Sequence, residues 1–262
     1  MNLNLSGKNA LVCGSTQGLG LASALELANL GANVVLMARD EAKLKLAIWQ
    51  LDNTKGQNHT YIVADFNESE KVKNAINQYL SNGSTIHILI NNTGGPAAGK
   101  AIDAGTEEYL KAFNNHLICN QILTQAVSPG MKVAQFGRII NIISTSVMQP
   151  IYGLGVSNTI RAAVANWGKT LSVELGKYGI TVNNVLPGFT NTVRADYVVK
   201  KKVADSGRSE AEVMEELLSK IPAGRMGNPE EFGAVVAFLC SPAAAYVNGV
   251  NLPVDGGRTG WL

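Results

Sequence analysis

Asn9-Ala10-Leu11-Val12-Cys13-Gly14-Ser15-Thr16-Gln17-Gly18-Leu19-Gly20 is the stretch from which the architecture follows. Asn9–Cys13 is a short, mostly apolar run that ends at a glycine, the signature of a strand buried on both faces. Leu21, Ala24, Leu25 and Ala28 follow at helical spacing, and Gly31 stands where a helix C-cap belongs. A second apolar run, Asn33–Ala38, comes next. Strand, glycine turn, helix and strand make one βαβ unit. A glycine turn at that place lets the backbone approach a pyrophosphate, whose charge is met by free N–H groups and the positive end of the helix.

The same alternation continues outward. Tyr61–Ala64, Ile86–Ile90, Arg138–Ile143, Thr181–Val185 and Val250–Val254 are further strand candidates, with helical periods between them, which makes seven strands. The expected fold is therefore α/β: a Rossmann-type, three-layer, doubly wound domain with a mainly parallel sheet. With 262 residues, 46% of them hydrophobic and 16% charged, the chain has the apolar surface for such a sheet. It shows no repeat or linker, so 1–262 is expected to be a single domain. The charge-dense part of 190–222, with Lys200, Lys201, Lys202, Glu210, Glu212, Glu215 and Glu216, reads as solvated helices or as a helical lid over a substrate site.

A net charge of +2 provides no broad field for nucleic acid or an anionic membrane, and no run approaches a membrane span. Cys13, Cys119 and Cys240 are far apart in apolar runs, which suggests neither a disulfide framework nor a metal site. Met1–Ala10 lacks a basic start followed by an apolar stretch, and the expected location is the cytoplasm.

The glycine spacing of Gly14, Gly18 and Gly20 resembles the fingerprint of the short-chain dehydrogenase/reductase family, with Cys13 where that family usually has Thr. Further landmarks occur in family order. Ala64-Asp65-Phe66 resembles the segment that contacts adenine, and Asn91-Asn92-Thr93-Gly94-Gly95 resembles the Asn-Asn-Ala-Gly motif. Asn183-Asn184-Val185-Leu186-Pro187-Gly188 resembles the segment beside the nicotinamide, and Val254-Asp255-Gly256-Gly257 the closing motif. The resemblance implies cofactor contacts at Gly14, Ser15, Thr16, Gln17, Gly18, Leu19, Gly20, Asp65, Phe66, Asn92, Thr93, Gly94, Pro187, Gly188, Thr190 and Thr192. It also implies a homotetramer or homodimer joined through the long helices after the fourth and fifth strands.

Cofactor choice rests on Ala38 and Arg39. An acidic group at the end of the second strand favours NAD, whereas Arg there pairs with a 2′-phosphate. By resemblance the acidic position is Ala38 and Arg39 follows it, so NADP(H) is favoured over NAD(H). Asp40 reads as the N-cap of the next helix.

At the reaction centre the pattern breaks. In the family a Ser orients the carbonyl, a Tyr donates the proton and a Lys one helical turn later holds the ribose and lowers the Tyr pKa. Ser144 matches the Ser, but the Tyr and Lys positions fall on Ser157 and Arg161. The family's Asn on the preceding long helix falls on His116. Arg161 can hold ribose hydroxyls but cannot relay a proton, because guanidinium stays protonated. Ser157 is a far weaker acid than Tyr. His116 and Tyr152 are the candidate replacements as proton donors, each against a plainer reading as a packed side chain. Ser157-Asn158 with Arg161, together with Asp255-Gly256-Gly257-Arg258, resembles a divergent subgroup described as 3-oxoacyl-acyl-carrier-protein-reductase-like.

The leading expectation is an NADP(H)-linked oxidoreductase acting on a small carbonyl or alcohol, with Ser144 polarising the substrate and Arg161 on the ribose. The runner-up is a dinucleotide-binding sensor or partner subunit without turnover. A nucleic-acid-binding module would need a basic stripe and aromatic stacking motifs, and neither is present.

Overall fold

Successive residues of a strand face opposite ways, and in Ala10–Cys13 both ways are apolar, so the strand needs a cover on each side. The computed structural model, which describes residues 1–260, supplies both. Its elements run β1 (Asn9–Cys13), α1 (Gly18–Asn29), β2 (Asn33–Ala38), α2 (Glu41–Ile48), β3 (Thr60–Val63) and α3 (Ser69–Leu80). They continue with β4 (Ile88–Asn91), α4 (Thr106–Phe113), α5 (Cys119–Val133), β5 (Gly137–Ile142) and α6 (Gly155–Leu175). The last are β6 (Ile180–Pro187), α7 (Val193–Ser206), α8 (Glu210–Ser219), α9 (Pro229–Cys240) and β7 (Asn251–Val254).

The strands form one sheet in the order β3-β2-β1-β4-β5-β6-β7, and every pairing is parallel. All seven expected strands are present, displaced by at most two residues at their ends. Ala10, Val12, Val34, Leu36, Ile88 and Ile90 pack with α1, α2 and α9. Leu11, Cys13, Val35, Met37 and Leu89 pack with α3, α5 and the end of α6. The order reverses between β1 and β4, which opens a crevice at the carboxyl ends of the strands.

Gly31 follows the last turn of α1 with φ 97°, as a C-cap glycine should. The buried face of α1 is wider than its apolar period implies, because Ala22 and Ser23 are also covered. The cause is α9: a Cβ on Gly233 would lie 2.6 Å from the Ala22 carbonyl oxygen, so α9 lies directly on α1. Residues 190–222 do form helices. Val199, Val213 and Leu217 give α7 and α8 a small core of their own.

Four asparagines cross the sheet near its carboxyl edge. Asn91 Nδ2 donates to Asn141 Oδ1 (2.9 Å), Asn141 Nδ2 to Asn184 Oδ1 (2.9 Å), and Asn184 Nδ2 to Asn251 Oδ1 (2.8 Å). They are directly opposed in the registers of β4, β5, β6 and β7. Asn91, Asn141 and Asn184 are buried, so each lost amide partner has a real cost. Gly168 of α6 lies on this row, where a Cβ would stand 2.7 Å from Asn141 Nδ2 and 2.8 Å from Asn184 Oδ1. Asn141→Ala, which strands an amide on each side, is expected to lower stability by about 2–4 kcal/mol, read as the shift in a urea denaturation curve. A loss below half a kcal/mol would show the row to be incidental.

Candidate functional site

Five chain segments, those after β1, β3, β4, β5 and β6, leave the carboxyl ends of the strands and enclose one cleft. The first is the glycine turn after β1. Gly14 and Gly18 both have φ 57°, a left-handed conformation that favours glycine. A Cβ on Gly20 would lie 2.2 Å from the Gly14 carbonyl oxygen, so that position admits no side chain. Gln17 at the N-cap of α1 makes no capping hydrogen bond, which leaves the first amides of the helix open to an anion. Ser15 is fully buried and its Oγ accepts from Met37 N (3.1 Å), so its side chain holds β2 and does not face a ligand.

The segment after β4 locks onto this turn. Asn92 Nδ2 donates to the carbonyls of Cys13 (3.2 Å) and Gly14 (3.1 Å). Thr93 and Gly94 continue along the rim. After β3, Asp65 Oδ1 accepts from the backbone and side chain of Asn67, while Phe66 is buried and its carbonyl oxygen accepts from Asn114 Nδ2 (3.2 Å). The segment after β6 comes back across the turn: Thr192 faces Gly18 at 3.6 Å from the position of a Cβ. Thr192 caps α7 by accepting from Ala195 N, and Thr190 is buried. Gly188 packs so closely on Asp255 that a Cβ would stand 2.5 Å from its Cα. Arg39, just past β2, is exposed, and it forms no ion pair among the described residues. Asp40 accepts from Lys43 N (3.1 Å) as the N-cap of α2.

The remaining segment follows β5. Ser144 Oγ accepts from Ser146 N (3.0 Å), which leaves its hydroxyl proton free to donate into the cleft. Opposite it, α6 presents Ser157 and Arg161 one turn apart on one face, both buried. Arg161 Nη1 donates to the Ile142 carbonyl (2.9 Å), the last residue of β5, while its buried Nε has no partner among the described residues. Burial, and then the nearby Arg194, lower its pKa to about 10, so it remains a cation at neutral pH.

His116 lies in a π-helical stretch, Asn114–Ile118, that joins α4 to α5 without a break. Such π-bulges occur often at functional sites. Its ring is buried and forms no hydrogen bond with a described group. Burial first, and the charge of Arg161 second, hold its pKa well below 6.5. The structure thus joins His116, Ser157, Arg161 and Ser144 at one place and does not join Tyr152 to them. Tyr152 is 87% exposed on the turn before α6 and its hydroxyl bonds to no described group. Asn158 explains that turn, since its amide bonds to both the nitrogen (3.4 Å) and the oxygen (2.9 Å) of Ile151.

Arg194 was not among the expected residues. Its Nη2 donates to the Pro96 carbonyl (2.9 Å), and its guanidinium lies 5.1 Å from the centroid of the Tyr197 ring. A signal existed, an arginine two residues after Thr192, but only folding brings it to Gly95 and Arg161.

Comparison with known proteins agrees with this geometry along the whole chain. A family model described as enoyl-(acyl carrier protein) reductase matches residues 14–259. The chain belongs to the short-chain dehydrogenase/reductase family. It is 34% identical to a 3-oxoacyl-acyl-carrier-protein reductase of Pseudomonas aeruginosa over 258 residues, 97% of this chain and 98% of that one. L-sorbose reductase from Gluconobacter frateurii, solved with NADPH and L-sorbose, has a TM-score of 0.93 at 30% identity, with 100% of both chains covered. YwfH, an NADPH-dependent reductase involved in bacilysin biosynthesis, has a TM-score of 0.92 at 28% identity over 98% of this chain and 100% of that one.

As a member of this family of oxidoreductases, the chain combines a familiar cofactor cleft with an imidazole held neutral beside a guanidinium. That imidazole has a consequence for stability. Because His116 has a lower pKa folded than the usual 6.5, the unfolded chain takes up the proton more readily. Its contribution is complete above about pH 6.5 and is lost as the pH falls toward the folded pKa. The stability of His116→Gln is therefore expected to gain on the unaltered protein between about pH 7.5 and 5.5 in paired denaturation curves. Identical pH slopes would show that the ring is not held neutral.

Proposed function

We propose that this chain is an NADP(H)-linked oxidoreductase that exchanges hydride with a carbonyl or hydroxyl carbon of a small molecule. One observation carries the reading: the uncapped, glycine-lined start of α1 opens into the same cleft as Ser144, Ser157 and Arg161. The backbone of Gly14 to Gly20 and Thr192 would hold the pyrophosphate, Asp65 and Phe66 the adenine, and Asn92, Thr93, Gly94, Pro187, Gly188 and Thr190 the inner half of the cofactor. Arg39, exposed and free of a carboxylate among the described residues, would meet the 2′-phosphate. The NADPH named with both structural relatives supports that choice.

Bound there, NADP(H) supplies or accepts the hydride. Ser144 donates a hydrogen bond to the substrate oxygen. Arg161 holds the ribose hydroxyls and keeps fixed positive charge beside the reacting centre. Ser157 and Arg161 occupy the places of the family's Tyr and Lys. The proton step passes to His116, whose ring is held neutral; because burial and Arg161 disfavour its charged form, it is both a weak base and a poor proton reservoir, and it serves by relaying the proton onward through water. The helical segment 190–222 acts as the substrate lid.

A second reading, a dinucleotide-binding sensor or partner subunit, draws on the serine at 157 and arginine at 161, where the family's pattern calls for Tyr and Lys. Turnover of a carbonyl and alcohol panel, abolished by Ser144→Ala, separates the two. The three buried thiols suit a reducing cytoplasm, and no helix among the described residues is long and apolar enough to cross a membrane. The exposed Leu110 and Phe113 on α4, with Ile118 at the end of the π-helical stretch that follows, support self-association into a dimer or tetramer.

Arg39→Ala is expected to weaken NADPH binding about tenfold or more and NADH binding far less, measured by fluorescence titration. A native preference for NADH would refute the 2′-phosphate assignment. Placing Tyr at 157 and Lys at 161 together is expected to raise carbonyl reduction, since it puts a proton donor and its activating cation one turn apart. If the unaltered protein turns over fast and the double variant is dead, Ser157 and Arg161 belong to a working mechanism of their own.

A further inference from the structure

Two guanidinium groups converge on the cleft at Gly95. A Cβ built on that residue would stand 3.7 Å from Arg161 Nη2 and 3.7 Å from Arg194 Nη2. Neither arginine forms an ion pair with a carboxylate among the described residues. Each donates one hydrogen bond to a backbone carbonyl, Arg161 to Ile142 and Arg194 to Pro96. Arg161 is 9% exposed, and its Nε is buried without a partner. A buried cation facing a second cation is an unfavourable arrangement for the protein alone. It becomes favourable when an anion lies between them, since one carboxylate or phosphate can accept from two donors at about 2.8 Å each.

The position of the pair determines which anion it suits. Arg161 is anchored at the end of β5, two residues before Ser144, so the pair adjoins the carbonyl-polarising serine and not the adenine half of the cleft. Arg194 sits on the rim at the start of α7, held in orientation by Pro96 and stacked on Tyr197. A pyrophosphate has its own seat at the uncapped start of α1, which requires neither guanidinium. Building on the oxidoreductase reading above, we propose that the substrate is an anion, a carboxylate that Arg161 and Arg194 clamp beside its reacting carbonyl or hydroxyl carbon. Arg194 is then the residue that sets specificity, admitting keto or hydroxy acids over their neutral esters.

The same chemistry could be met by a phosphate of the cofactor, and the test separates the two sources. The protein saturated with NADP+ is titrated calorimetrically with acetoacetate and with methyl acetoacetate, and pyruvate is compared with methyl pyruvate. Oxidised cofactor cannot reduce either ketone, so only binding is read. We expect at least one acid to bind about tenfold or more tightly than its ester, and Arg194→Gln to reduce that preference to within about threefold. Arg194 is exposed, and its replacement should leave the urea midpoint in place. Equal binding of acids and esters by the unaltered protein overturns the proposal. It is also overturned if Arg194→Gln weakens NADP+ by a similar factor while the acid preference persists, which would place that guanidinium on the cofactor. Failure to bind NADP+ at all would instead refute the oxidoreductase reading. The acid and ester titrations are then run on the protein alone, where equal affinity overturns the arginine clamp.

Discussion

The row of amides from Asn91 through Asn141 and Asn184 to Asn251 is the constraint on which the site depends. Asn141 and Asn184 each donate to one neighbouring strand and accept from the other, Asn91 donates and Asn251 accepts, so a shift of one strand by a residue would leave buried amide atoms without partners. The row thus holds β4, β5, β6 and β7 level, and the segments that leave them emerge at the same height. Gly168 extends this order to the helical layer. With no side chain there, α6 rests on the amides, and Arg161 and Ser157 lie two and three turns earlier along the same helix. The hydrogen bond from Arg161 to Ile142 fixes the result.

The cleft that follows is electrostatically lopsided. On its cofactor side lie open amides, a helix dipole and the exposed Arg39, all of which attract anions. On its reaction side lie Arg161, Arg194 and an imidazole that cannot readily add a third positive charge. Like charges so close are tolerated in a folded protein only where something else compensates them. The depressed pKa values of His116 and Arg161 have one physical origin, burial together with neighbouring positive charge.

The segment after β6 links these two sides. Thr192 faces Gly18 and caps α7, and Arg194 belongs to the first turn of that helix. α7 and α8 share a small apolar core of their own, around Val199, Val213 and Leu217, separate from the two clusters that cover the sheet.

Much of this was legible in the chain itself. Period and punctuation suffice for local elements, so all seven strands, the glycine turn from Gly14 to Gly20, the C-cap at Gly31 and the N-cap at Asp40 could be read from residues near one another. That Ser157 and Arg161 share one face of a helix was legible too, because helix spacing is local. Strand ends moved by a residue or two where cross-strand bonds, which no local window contains, decided them. Ser15 looked like a ligand contact and proved to hold β2, and Tyr152 looked like a proton donor and lies in solvent, because burial is a property of the assembled fold. The meeting of Arg194 with Arg161 and the joining of four distant asparagines depend on contacts between residues far apart in sequence. Local propensity carries no information about such contacts, and only tertiary packing decided them.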